Sequence, residues 1–308
     1  MRGSSLLLSL TASLICQAEP SIQTDTIEHK KHLAAVATTQ LVGYGGTLIA
    51  LNQTWYSQYP KSKLHAYNDW GEWKQLDKIG HVYGCYIQGK TSMELYRWAG
   101  LSRKKQIWIG GLTGTAFQTL IEYMDGRSAE WGWSWGDVAA NLTGSALLIG
   151  QELAWNEQRI HLKFSFHPTR YSDPELQSRS KELYGSSWTT RMLKDYNAQT
   201  YWASFRLRSY FPKSRIPDWL CLSIGTGADG LWGGYNNWKT DENGSVVFDR
   251  SDIARSRQWY LAPDIDFTRI PTKKKWMRVV LFTLNAFKLP SPALEYKSGR
   301  WKLHGLYF

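Results

Sequence analysis

Cysteine is nearly absent: Cys16, Cys85 and Cys221 are the three in 308 residues. Isolated cysteines imply no disulfide framework, although Cys85 and Cys221 could pair in an oxidising space; their apolar settings favour two buried free thiols. Acidic charge is short as well. Lys and Arg total 37 against 26 Asp and Glu, for a formal net charge of +11 and a pI near 9.4. That balance favours acidic partners such as anionic lipid or phosphate-bearing glycolipid. A dinucleotide-binding unit is missing too. Gly225-Thr226-Gly227-Ala228-Asp229-Gly230 has the letters G-x-G-x-x-G, but Leu231-Trp232-Gly233-Gly234 follows in place of a helix, so a Gly-rich turn is expected. A composition of 43% hydrophobic and 20% charged residues excludes a disordered chain, and the length suits two modest domains.

What the chain has in excess is Trp and Tyr, seventeen of each. Amphipathic aromatics serve equally as a large core or as an interface to membrane, carbohydrate or protein, and both readings stay open. Met1 to Ala18 is expected to be a secretory signal peptide: Arg2, the short apolar run Leu6 to Ile15, and Ala18 before Glu19-Pro20. That run is too short to cross a bilayer. Cys16 raises the question of lipidation, but Ile15 is a poor residue before a lipidated Cys, and ordinary cleavage is favoured. The basic clusters at Arg103–Lys105 and Lys273–Lys275 read as a plain solvated face first, and in an exported chain as a contact to anionic membrane rather than to nucleic acid.

Leu33 to Leu51 carries no charge over nineteen residues, long enough to span or seat in a membrane. Three further helices are expected, from about Lys74 to Ala99, Gln106 to Met124, and Ser134 (the cap) to Trp155. Their faces follow one design. Asp77, His81, Gly84 and Gln88 share a face of the first; Gly111, Gly114, Gln118, Glu122 and Asp125 of the second; Asp137, Asn141, Gly144, Leu148 and Gln151 of the third. Small residues let backbones approach closely, so the polar groups would converge at one level of a bundle. Trp70, Glu72 and Trp73 read as a rim that seats the first of these helices at an interface.

The spaced pattern Asp77-Lys78-x-x-His81, Glu122 and Asp137-x-x-x-Asn141-x-x-Gly144 resembles the YfiM-like family of cell-envelope proteins and is more distantly similar to VanZ-like helical membrane proteins. It covers about Asn68 to Gly150. The resemblance implies an envelope location and a helical unit, and brings no known activity. YfiM-like members are typically lipoproteins, from which Ile15-Cys16 departs, and the long tail resembles the longer versions found in the Bacteroidetes group.

After Trp155 the pattern changes to alternation. Arg159–Thr169 sets Ile160, Leu162, Phe164 and Phe166 against His161, Lys163, Ser165 and His167, which is a strand pattern. Strands are also expected at Thr200–Phe211, Trp219–Gly225, Gln258–Ile270 and Arg300–Phe308, with a hairpin turn at Asn243-Gly244, a long polar loop from Tyr171 to Asp195, and an amphipathic helix from Lys273 to Phe287. Trp301, Leu303, Gly305 and Tyr307 would share one side of the last strand, as in the closing strand of an outer-membrane barrel. A soluble antiparallel sheet and a barrel remain equal alternatives.

The expected architecture is therefore α+β: a signal peptide (1–18), a helical domain (19–157) of about four close-packed helices, and an antiparallel β-rich domain (158–308). Candidate catalytic residues are His81, Asp77, Glu122 and Asp137, supported by Lys78, Asp125 and Asn141. A His plus carboxylates suits a divalent metal at His81, Glu122 and Asp137, a metal-activated water, or a metal-free general base. The competing reading is a polar network that fixes helix register. The functional expectation is a structural or accessory protein of the Gram-negative periplasm or outer membrane, partnered by anionic lipid or envelope proteins. The alternative is a hydrolase of an envelope lipid or glycan.

Overall fold

The computed structural model describes residues 26–307. The expected signal peptide lies outside the described residues. The chain is mixed, with most of its helix in the first half and an antiparallel sheet in the second. It divides into two interleaved compact units. One gathers the chain up to Asp69, His81–Gln158 and Ile270–Leu284; the other gathers Trp70–Gly80, Arg159–Arg269 and Asn285–Phe308.

The helical unit holds α1 (Thr26–Thr54), all but the first turn of α2 (Leu76–Trp98), α3 (Gly111–Asp125) and α4 (Trp135–Trp155). A π-turn over Gln106–Gly110 leads into α3. α1 packs Val36 against Leu95, Trp98 and Ala99 of α2, and Gln40 bonds Ser92 and Tyr96 (3.0 and 2.8 Å). α2, α3 and α4 meet through glycine. A Cβ on Gly114 would lie 2.5 Å from the Cys85 carbonyl oxygen, and one on Gly144 would lie 2.3 Å from that of Val82. Neither position has room for a side chain, so the small-residue faces do bring backbones together. α2 starts later than the sequence suggests. Trp73, Lys74 and Gln75 adopt left-handed φ of 47°, 54° and 57°, which ends any helix there.

In the second unit, Trp73 is packed rather than rim-like: its ring lies 5.1 Å from Tyr196 and 6.1 Å from Tyr184. The main sheet is antiparallel in the order β1-β2-β3-β6-β7-β8. Its strands are β1 (Ile160–Phe166), β2 (Gln199–Arg206), β3 (Leu220–Asp229), β6 (Ser256–Ile265), β7 (Ser291–Lys297) and β8 (Arg300–Tyr307). It does not close into a barrel, because β1 and β8 are its two edges. Backbone bonds between Phe164 and Ala286 and Lys288 (3.0 and 2.9 Å) cover the β1 edge, shielding it from further pairing. The expected hairpin forms between β4 (Trp238–Thr240) and β5 (Val246–Asp249), with Gly244 at φ 81°.

Four further expectations change. The polar stretch Tyr171–Asp195 holds two helices, α5 (Pro174–Tyr184) and α6 (Trp188–Lys194), capped by Asp173 and Ser187. The Gly-rich motif is strand through Asp229, and only Gly230 turns (φ 74°). The basic helix shortens to α7 (Lys275–Leu284) and belongs with the helical unit. Finally, an extra residue in β8 near Ser291/Ala293 shifts the register. This puts Tyr307 on the side of His304, not of Trp301.

The alternation of β1 is real, but its polar side is the inner one. Lys163 and Asp264 form an ion pair of 3.1 Å with side chains 0 and 1% exposed, and His161 bonds Asp266 at 2.9 Å. Ser204 and Ser223 donate to the same Asp264 oxygen at 2.7 and 2.9 Å. Such a pair survives burial because its remaining lone pairs are filled.

Candidate functional site

α4 starts where it does because Ser134 caps it. Its Oγ accepts from the Asp137 N–H at 3.0 Å and donates to Asp69 Oδ1 at 2.6 Å. Its own N–H points to Glu122 Oε2 at 3.4 Å. This one serine therefore fixes three acidic residues relative to the helix start. Gly132-Trp133-Ser134-Trp135-Gly136 spells the G-x-S-x-G of serine hydrolases. Here, however, the hydroxyl is buried and committed to Asp69 and Asp137, so it acts as a strut.

His81, in the first part of α2, faces this arrangement. Its Nδ1 lies 3.0 Å from Asn141 Oδ1, and the Cys85 thiol donates to the same oxygen at 3.3 Å. With that oxygen as acceptor, Nδ1 carries the hydrogen and Nε2 turns toward the carboxylates. Nε2 lies 3.6 Å from Asp137 Oδ1 and 3.8 Å from Glu122 Oε1. Both distances exceed a hydrogen bond. Each leaves room for an ion between Nε2 and that carboxylate, since two ligand atoms ~2.1 Å from a tetrahedral ion stand ~3.4 Å apart.

Glu122, Asp137 and Asn141 are buried. Burial pushes the Glu122 carboxyl up to about 8, with the Asp137 and Asp125 charges adding to the rise and His81 opposing it. Two buried carboxylates beside one imidazole raise each other's affinity for a proton or a cation. A divalent ion with neutral imidazole and two carboxylates is neutral overall.

The structure thus brings His81, Glu122, Asp137 and Asn141 together within the helical unit. Asp125 is engaged elsewhere, accepting from the Tyr56 hydroxyl at 2.7 Å. Asp77 stands one turn before His81 on α2, and its turn belongs to the second unit. There its carboxylate accepts from Tyr196 at 2.8 Å and from Lys78 at 3.1 Å. Asp69 and Ser134 were not among the expected site residues. The signal for Ser134 is the Ser-x-x-Asp spacing to Asp137. Cys85 and Cys221 are buried free thiols, as expected, and burial pushes them up to about 12 and about 11, which leaves them unreactive at neutral pH.

Residues 69–149 match a family described as a predicted periplasmic lipoprotein (DUF2279). The match spans α2 to α4 and so contains the whole His–carboxylate arrangement. It supports an exported, envelope-associated protein. No curated protein and no solved structure matches the chain.

Proposed function

We propose that this chain is an accessory protein of the cell envelope whose helical unit sits at a membrane and holds a divalent cation between His81, Glu122 and Asp137. The observation that carries this reading is the His81 Nε2, anchored through Nδ1 and turned toward two buried carboxylates at 3.6 and 3.8 Å. The ion would tie α2, α3 and α4 at one level. It would also remove the cost of two buried carboxylates beside a single imidazole.

Support for the membrane seat comes from α1. Among the described residues it is the one helix long and apolar enough to cross a bilayer, and it is almost wholly unburied. Leu41, Val42 and Ile49 are 75, 59 and 62% exposed. Trp108, Leu120, Trp135 and Leu142 are further exposed apolar side chains of the helical unit, which suits a lipid or protein neighbour.

A second reading is hydrolysis of an envelope lipid or glycan: His81, Glu122 and Asp137 offer three ligands, and a tetrahedral ion held by three would have a fourth position for an activated water. The test is metal analysis of protein extracted in detergent, wild type beside His81→Ala and Glu122→Ala. Close to one ion per chain, lost in both folded variants, is the expected result. No ion in the wild type, with both variants merely less stable, would make the centre an architectural polar network.

A further inference from the structure

The second unit has a site of its own. On the inner side of the sheet, opposite Trp259 and Leu261, strand residues and the loop residues His167, Thr169 and Asn197 line an open cavity of about 880 Å³, within the ~300–1,000 Å³ common for small-ligand sites. Its floor is aromatic, with Tyr260 buried and Tyr307 half-buried. The rings of Tyr260 and Tyr307 lie 4.3 Å apart, and Tyr307 shares a 3.0 Å hydrogen bond with Thr200. Beside them Glu295, also buried, accepts from Gln258 at 2.9 Å and from His304 at 2.6 Å. The register shift in β8 creates this floor, since it turns Tyr307 inward next to His304.

The charges of the cavity do not balance. Glu295 is matched by His304, and Asp229 by Lys297. Arg300 and Lys302, both exposed at the mouth, form no ion pair with any carboxylate among the described residues. An aromatic floor suits the apolar face of a sugar ring. A wall of hydroxyl, amide and carboxylate groups suits its hydroxyls, and two unmatched cations at the entrance suit a phosphate.

We infer that this cavity binds a sugar phosphate, with the ring against Tyr307, which Tyr260 backs, and the phosphate on Arg300 and Lys302. The same chemistry occurs in a free sugar phosphate and in the headgroup of a phosphorylated glycolipid. The site is independent of the His81 centre.

The test is calorimetric titration of the full chain in detergent with glucosamine 1-phosphate, with micelles of a phosphorylated glucosamine-disaccharide lipid, with N-acetylglucosamine and with inorganic phosphate. Each is repeated on the Arg300→Gln/Lys302→Gln variant, whose changes lie on the surface. Binding of either phosphosugar, weakened about tenfold or more in the variant and in the neutral sugar, is the expected result. The tighter of the two phosphosugar arms names the source. No binding of either phosphosugar, equal binding by inorganic phosphate, or an unchanged affinity in the variant would overturn the assignment.

Discussion

Gly144→Ala should open the helical unit at its tightest point. The added Cβ would lie 2.3 Å from the Val82 carbonyl oxygen, whereas ordinary contact begins at 3.4 Å, so α2 and α4 must part by about 1 Å. Overpacking of a rigid backbone contact costs about 1–3 kcal/mol. Val82 adjoins His81, and Asn141 lies one turn before Gly144. The same displacement therefore stretches the 3.0 Å His81–Asn141 hydrogen bond, adding about 1 kcal/mol. Gly150→Ala is the control on the same helix. Nothing lies within 4 Å of its Cβ, so it should stabilise by about 0.5–1 kcal/mol through helix propensity alone. Thermal unfolding followed by circular dichroism in one detergent compares the two. Gly144→Ala should lower the midpoint and Gly150→Ala should raise it slightly. Equal shifts of the same sign would show that α2 and α4 do not meet through Gly144.

Three further outcomes follow from the geometry. The Glu122 carboxyl is raised in the fold from 4.5 to about 8. In metal-stripped protein its contribution to stability is therefore full below about pH 4.5 and lost as pH rises through 8, up to about 5 kcal/mol, with His81 and Asp137 sharing the titration. Glu122→Gln should flatten that slope in unfolding midpoints taken at pH 5, 6.5 and 8; a wild type that gains stability over the range would contradict it. Lys163→Met leaves Asp264 buried without its cation and should cost about 3–5 kcal/mol. Lys163→Met/Asp264→Asn should recover part of that in denaturant titration, and no recovery would mean the pair is not the cause. Leu41→Glu/Ile49→Glu places two charges on the exposed stripe of α1, at about 2.5–3.5 kcal/mol each if that stripe lies in lipid. The variant should leave the membrane fraction on carbonate washing, and retention equal to wild type would remove α1 as the anchor.

Much of the helical unit was legible because its signals are local. Gly114 and Gly144 stand at helical spacing from Glu122 and Asn141, and Ser134 precedes its helix as a cap. The start of α2 was not legible, because left-handed residues at Trp73–Gln75 are held by tertiary contacts such as Trp73 N–H to the Gly234 carbonyl at 2.8 Å. α5 carried a readable signal in Asp173-Pro174-Glu175, a cap followed by proline in the first turn, inside a stretch whose polarity suggested a loop. In β1 the period of two was plain but its sense was not. Only the pairing of Lys163 with Asp264, a hundred residues on, shows that the charged side faces inward. The same limit applies to the site. Glu122 and Asp137 could be placed on their faces from spacing, whereas Asp69 joins through Ser134 across 65 residues, a distance over which sequence carries no pairing information.

The central claim is that His81, Glu122 and Asp137 share a divalent ion. Titration of zinc into chelator-stripped protein in detergent tests it most directly, on wild type, His81→Ala and Asn141→Ala. The geometry predicts one site per chain, abolished by loss of the His81 ring. Loss of the Asn141 amide that orients it should weaken binding about tenfold or more. Binding that survives His81→Ala unchanged, or no binding in the wild type, would contradict the account.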